Sequence, residues 1–71
     1  MRERLYNVAK QYITIIESIE RTQDAHELAK LEEQRVIWHN KLLTLLKREG
    51  IYYRDREHVT RIAFKLVRDN S

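Results

Sequence analysis

The sequence contains no cysteine and no proline, and it contains a single glycine. Without cysteine the chain has no disulfide framework, no thiolate zinc site and no thiol nucleophile, which fits a reducing compartment. Proline and glycine interrupt helices, so their scarcity predicts long continuous helices. No apolar run approaches the ~18 residues that span a bilayer, and no signal-type apolar core follows the charged N-terminus. We therefore expect a cytoplasmic protein with no membrane partner.

The chain is near the lower size limit for a stable domain. It has 71 residues, of which 42% are hydrophobic and 35% are charged. Burial of large apolar side chains at ~1.5–3 kcal/mol each nearly cancels ordering costs of ~1.5 kcal/mol per residue. Association with a second copy would add buried surface. The composition thus favours a homodimer or an obligate protein partner, before any motif is considered.

The pattern of apolar residues predicts three helices and no strands. In the first segment, apolar residues recur at alternating spacings of four and three, which is the period of one helical face. The predicted helices cover approximately residues 2–21, 23–49 and 55–68. The members of the first helical face are Leu5, Ala9, Tyr12, Ile16 and Ile19.

Three residues mark the predicted helix ends. Thr22 is the expected N-cap of the second helix, and Asp55 is the expected N-cap of the third. Gly50 is the expected left-handed residue that follows the second helix. We therefore predict an all-α fold within one domain over residues 1–71. Its architecture is an antiparallel helical hairpin plus a shorter third helix, completed as a helical bundle by dimerisation.

The second helix has an apolar arc of roughly 200°, about twice that of an ordinary surface helix. Glu32, Arg35 and His39 lie within this arc, where apolar residues are expected. Glu32 and Arg35 are expected to pair, and the three polar residues either set the register of a helix–helix contact or form a rim that stays solvated. The predicted self-association residues are Glu32, Arg35, Trp38, His39, Leu42, Leu43 and Leu46. The arc consists of Ala25, Leu28, Ala29, Leu31, Val36, Trp38, Leu42, Leu43, Leu45 and Leu46.

No catalytic or metal-binding constellation is visible. His26, His39 and His58 are far apart in sequence, and none has a second histidine or a cysteine at helical metal-ligand spacing. Arg35 would repel a cation beside His39. The chain has no glycine-rich phosphate loop, and its serines lack a nearby base. We therefore predict a non-enzymatic protein with no cofactor, no metal and no small-molecule substrate.

Four large side chains are predicted to bind a partner protein. Ile37 and Phe64 point away from the apolar faces of their helices, and Tyr52 and Tyr53 lie in the link between the second and third helices. An exposed phenylalanine beside arginines is typical of a binding hot spot. The alternatives are isolated exposed hydrophobic residues, and tyrosines that cover the helix ends.

Basic residues suggest a second kind of partner. Residues 1–34 carry five Lys/Arg and seven Asp/Glu, whereas residues 35–71 carry nine and four. A row of cations on a solvated helical face can bind nucleic acid, although most such rows are simply solvated. The candidate nucleic-acid-binding residues are Arg54, Arg56, Arg61, Lys65 and Arg68.

These patterns favour a small regulatory or interaction module that acts through helical surfaces as a homodimer and binds another protein. The first alternative is a nucleic-acid-binding regulator that uses the basic face of the C-terminal helix. The second alternative is a structural assembly subunit, for which self-association is the whole function.

Overall fold

The structure is a computed structural model that describes residues 3–69, and over these residues it contains three α-helices and no strand. The helices are α1 (Glu3–Arg21), α2 (Ala25–Arg48) and α3 (Arg56–Asp69). Five of the six ends lie within two residues of the predicted bounds, and the predicted start at residue 2 lies outside the described residues. None of the described helices is long and apolar enough to cross a membrane.

The turn between α1 and α2 differs from the prediction at its capping residue. The backbone N–H of Thr22 donates to the carbonyl of Ser18 at 3.0 Å, so Thr22 continues the hydrogen bonding of α1. The N-cap of α2 is Asp24, whose Oδ1 accepts from the backbone N–H of His26 at 3.1 Å. The assignment of Thr22 as the cap was therefore wrong. Asp24 also places a carboxylate at the positive end of the α2 dipole.

The predicted termination of α2 at Gly50 is confirmed. Gly50 has φ of 71°, and its N–H donates to the carbonyl of Lys47 at 3.2 Å. The N–H of Ile51 donates to the carbonyl of Leu46 at 2.9 Å, which completes a Schellman motif. This pair of hydrogen bonds turns the chain back towards the hairpin.

Asp55 caps α3, as the sequence predicted. Its Oδ1 accepts from the backbone N–H of His58 at 2.8 Å, and its carbonyl accepts from Val59 at 3.0 Å. The helix that follows packs on its own chain, mainly against α1, while α1 also packs along α2. The short link between α1 and α2 makes these two helices antiparallel.

The hydrophobic core is confined to one end of the hairpin. We call this end the closed end and define it as residues 3–15 of α1, residues 42–48 of α2, the following link and α3. There α3 covers the groove between the first two helices. The buried residues at this end are Leu5, Val8, Ala9, Tyr12, Ile13, Ile15, Leu42, Leu46, Val59 and Ala63.

The other end of the hairpin lacks a buried side chain. We call residues 16–41 the open arm; it comprises the last turns of α1, the link, and α2 up to Lys41. No residue of this segment is buried. Leu28 and Leu31 are half-buried, whereas Val36 is 47% exposed and Ile37 is 41% exposed. The wide apolar arc predicted for α2 is thus covered only at its C-terminal end.

Candidate functional site

A polar junction joins the three helices where the closed end meets the open arm. The hydroxyl group of Tyr12, on α1, is hydrogen-bonded to Oγ1 of Thr60, on α3, at 3.1 Å. The aromatic ring of Tyr12 lies against the imidazole of His39, on α2, with 5.6 Å between the ring centroids. Tyr12 is 1% exposed, so this contact ties α2 and α3 to the same buried side chain.

The surroundings of His39 at this junction favour its neutral form. Burial lowers the pKa of its imidazole, and the positive charges of Arg56 and Arg35 lower it further. Its Nε2 atom is buried and has no hydrogen-bond partner among the described residues. Protonation would therefore place a third positive charge between two guanidinium groups, in a position where the new N–H donor has no acceptor.

Glu32 and Arg35 form the ion pair that the sequence predicted. The Nε atom of Arg35 lies 2.6 Å from Oε1 of Glu32, and this hydrogen bond raises the pKa of the guanidinium against the opposing effect of burial. The Arg35 side chain is 23% exposed and the Glu32 side chain is 50% exposed. Within one chain this pair is a partly solvated rim on the open arm. A seam between two chains, the other predicted role, would require a second copy.

The remaining residues predicted for self-association divide into two groups. Leu42 and Leu46 are 0% exposed in the core of their own chain, so their side chains are not available to a second copy. Trp38 and Leu43 are half-buried. Nζ of Lys41 lies 4.3 Å from the centroid of the Trp38 ring, which covers part of that ring.

Val36 is the surface residue that sequence reasoning did not single out. It was assigned to the apolar arc of α2, and within one chain it is the most exposed aliphatic side chain among the described large hydrophobic residues. The available signal was its place at the edge of an arc that is too wide for one partner helix.

The four predicted partner-binding residues do not form one surface. Ile37 and Phe64 are exposed, at 41% and 44%, as their helical positions predicted. Tyr52 is 76% exposed and lies in a groove lined by Ile62 and Leu66, on the side of α3 opposite Phe64. The neighbouring residue Tyr53 instead packs against the core.

The predicted basic row is divided and partly neutralised. Arg56 faces His39, on a different side of α3 from Arg61 and Lys65. Nη2 of Arg61 lies 2.9 Å from a carboxylate oxygen of Glu57, and Nε of Arg68 lies 4.0 Å from that of Asp69. These pairs reduce the positive potential of the row. Arg54 lies in a small polar groove with Asp55, Glu57 and Arg61.

The structure shows no metal-binding cluster among residues 3–69, since no three His, Cys, Asp or Glu side chains converge there. A scan of protein-family models, a search of curated proteins and a search of solved structures each find no match to this chain. Its function is therefore inferred from the surfaces described above.

Proposed function

We propose that this chain is a non-enzymatic interaction module that works as a homodimer and binds another protein through its helical surfaces. The observation that carries the proposal is the open arm, in which no residue from 16 to 41 is buried. Helices in proteins owe most of their stability to packing of an apolar face, and two helices alone leave much of that face in water. Contact with a second chain would cover it.

The exposed side chains of the arm support the same proposal. Val36 is 47% exposed, and the half-buried Leu28 and Leu31 leave further apolar area at the surface. At about 25 cal/mol per Å² of apolar area, burial of such a surface is the main favourable term in helix association. A closed helical bundle made from two hairpins is a common solution.

The homodimer is tested by light scattering over a wide range of protein concentration, at low and high salt. We expect a mass of twice the 8.7 kDa of one chain at micromolar concentration, with little salt dependence if apolar contacts dominate. A monomer at every concentration would overturn the homodimer and leave the arm open to a different protein.

Binding of another protein is tested with Ile37→Ala and Phe64→Ala, because both side chains are exposed and outside the core. We expect both variants to fold normally and to lose interactions that the unaltered chain makes. Lys30→Ala, on an exposed α2 position, is the control. Retention of every interaction by both variants would instead favour a purely structural assembly subunit.

A second candidate function, nucleic-acid binding, is favoured by the exposure of Arg61, Lys65 and Arg68 on the outer face of α3. Binding through phosphates would weaken steeply between about 50 mM and about 200 mM salt. Fluorescence anisotropy with labelled duplexes tests this candidate, and Lys65→Gln should then weaken binding to all sequences equally. Absence of binding at low salt would reject it.

A further inference from the structure

One side of α2 carries a stripe with the spacing of a helix–helix contact. Its members are separated alternately by four and three residues, which is the pattern of a coiled-coil seam. The exposed members are Ala25, Ala29, Glu32 and Val36, and the half-buried members are His39 and Leu43. We call this set the α2 stripe, and its members are Ala25, Ala29, Glu32, Val36, His39 and Leu43.

The rest of the chain leaves the α2 stripe exposed from Ala25 to Val36, whereas His39 and Leu43 are half-buried against Tyr12 and the core. Leu42 and Leu46 mark the side buried in the core. On one flank of this buried side lie Trp38 and Leu45, which share a groove with the α1 residues Arg4 and Val8. The α2 stripe lies on the opposite flank of the same buried side. Asn40 and Lys47, which lie beside His39 and Leu43, are exposed, so this edge of α2 is still partly open at the closed end.

From these placements we infer that a second copy of the chain pairs its α2 with this α2 in antiparallel orientation, crossing near Val36. The inference rests on the proposed homodimer and specifies its contact surface. Three properties of α2 support it: the charge along the helix, the size of the stripe residues, and the position of the polar ones.

Charge along α2 selects the antiparallel orientation. Residues 24–36 contain four Asp/Glu and two Lys/Arg, whereas residues 37–48 contain three Lys/Arg and no acidic residue. An antiparallel pair places the acidic half of each helix beside the basic half of the other. A parallel pair places like charges side by side along the whole contact, which is unfavourable.

Side-chain size along the stripe supports the same orientation. The first half of the stripe has the small residues Ala25 and Ala29, and the second half has Leu43. An antiparallel pair sets the small residues against the large one, so that the two backbones stay evenly spaced. A parallel pair would bring alanine to alanine and leave a gap at that end.

The polar stripe residue Glu32 also gains a partner in this arrangement. With the crossing at Val36, the carboxylate of Glu32 faces the partner's Asn40, which is at an exposed position of α2. Glu32 keeps half of its side chain exposed despite its contact with Arg35, so it can reach across the contact. The polar residues that are solvated in one chain would then lie in the contact between two chains. Both roles predicted for them, a solvated rim and a polar position within a helix–helix contact, would therefore apply.

Cysteine cross-linking tests the pairing directly, because the chain has no cysteine of its own. Val36→Cys places two thiols beside the two-fold axis, close enough for a disulfide. Gln34→Cys, also exposed but on the opposite side of α2, is the matched control. Under mild oxidation we expect Val36→Cys to form a covalent dimer on the order of tenfold faster than Gln34→Cys. Equal rates would overturn the proposed crossing point.

Orientation is tested by Ala25→Cys and Lys47→Cys, which lie on the stripe side of α2 and are exposed. Neither variant alone should cross-link, but a mixture of the two should give a covalent heterodimer. Cross-linking of Ala25→Cys to itself would mean a parallel pair and overturn the inference.

Light scattering on the unaltered chain distinguishes failure of the proposed homodimer from failure of the inferred α2 pairing. A dimeric mass with a contradictory cross-linking pattern overturns the antiparallel α2 pairing and leaves the proposed homodimer intact. A monomeric mass overturns both.

Discussion

The two ends of the helical hairpin carry similar apolar residues but bury them to different extents. Leu42 and Leu46 of the closed end are 0% exposed, whereas Leu28 and Leu31 of the open arm are only half-buried. The difference comes from α3, whose 14 residues cover the closed end alone. An apolar helical face therefore becomes a core only where a third element covers it.

The two ends also differ in charge. The open arm, residues 16–41, carries six Asp/Glu and four Lys/Arg, whereas the closed end carries five Asp/Glu and nine Lys/Arg. The acidic arm of one chain is thus matched to the basic end of another. In the proposed homodimer, this polarity would favour an antiparallel arrangement of the two α2 helices.

A leucine-to-alanine substitution should lower the free energy of unfolding much more at the closed end than in the open arm, and this is the largest effect that we predict. Leu46→Ala should cost about 2–5 kcal/mol because it leaves a cavity in the core, enough to unfold a domain of this size. Leu28→Ala should cost about 1 kcal/mol in dilute solution, since Leu28 already contacts solvent. Urea unfolding followed by circular dichroism measures both. Equal losses would mean that the arm is as well packed as the closed end.

The turn at Gly50 should be the next most sensitive feature, because it directs α3 to the closed end. Gly50→Ala should cost about 1–2 kcal/mol, since L-residues strain at a φ of 71°. No atom lies within 4 Å of the added Cβ, so the cost comes from the backbone conformation and not from a clash with a neighbouring residue. Gly50→Asn is the control and should cost less, because asparagine tolerates this region. Equal unfolding free energies for the two variants would contradict this explanation.

The hydrogen bond between Tyr12 and Thr60 should contribute less to the free energy of unfolding than the turn at Gly50. Tyr12→Phe removes the hydroxyl from a 3.1 Å contact and should cost about 0.5–1.5 kcal/mol. A double-mutant cycle with Thr60→Val isolates the pair, and we expect the two losses to be less than additive. Strictly additive losses would mean that this bond does not hold α3 against α1.

Acid should weaken the junction between the two ends through His39, with the smallest effect of the series. The folded chain lowers the pKa of His39, so folding favours the neutral imidazole. This stabilisation is present above the unfolded pKa of about 6.5 and is lost as pH falls through the lowered folded pKa. The facing groups are Tyr12 on α1, Arg35 on α2 and Arg56 on α3.

The pH effect is measured as unfolding free energy from about pH 8 to about pH 5.5. His39→Gln should flatten the decrease, whereas His26→Gln, at an exposed position, should leave it unchanged. An unaltered pH profile in His39→Gln would assign the acid sensitivity to another group.

Local features of this fold were predictable from the sequence because their causes are local. Helical periodicity predicted the three helices, and Gly50 and Asp55 predicted two of their ends. The spacing of Glu32 and Arg35 predicted their ion pair. The N-cap of α2 was not predictable in the same way. Thr22 and Asp24 are both good caps, and the choice depends on how far α1 continues.

Features that depend on distant parts of the chain were not predictable. Tyr12 and Thr60 are separated by 48 residues, and no periodicity links them. A helical wheel gives the width of an apolar face but not the element that covers it, so it could not show that Val36 is exposed within a single chain. For the same reason Leu42 and Leu46 were assigned to self-association, whereas α3 helps to bury them within their own chain.

The proposed covering of the open arm by a second chain is tested most directly by hydrogen exchange at several protein concentrations. Amides of residues 25–38 should gain the most protection as concentration rises, because the arm can open locally in the monomer, while those of residues 42–46 should exchange slowly even in the monomer, because the core already protects them. Arm protection that does not change between the monomeric and associated ranges would contradict the claim that a second copy completes the hairpin.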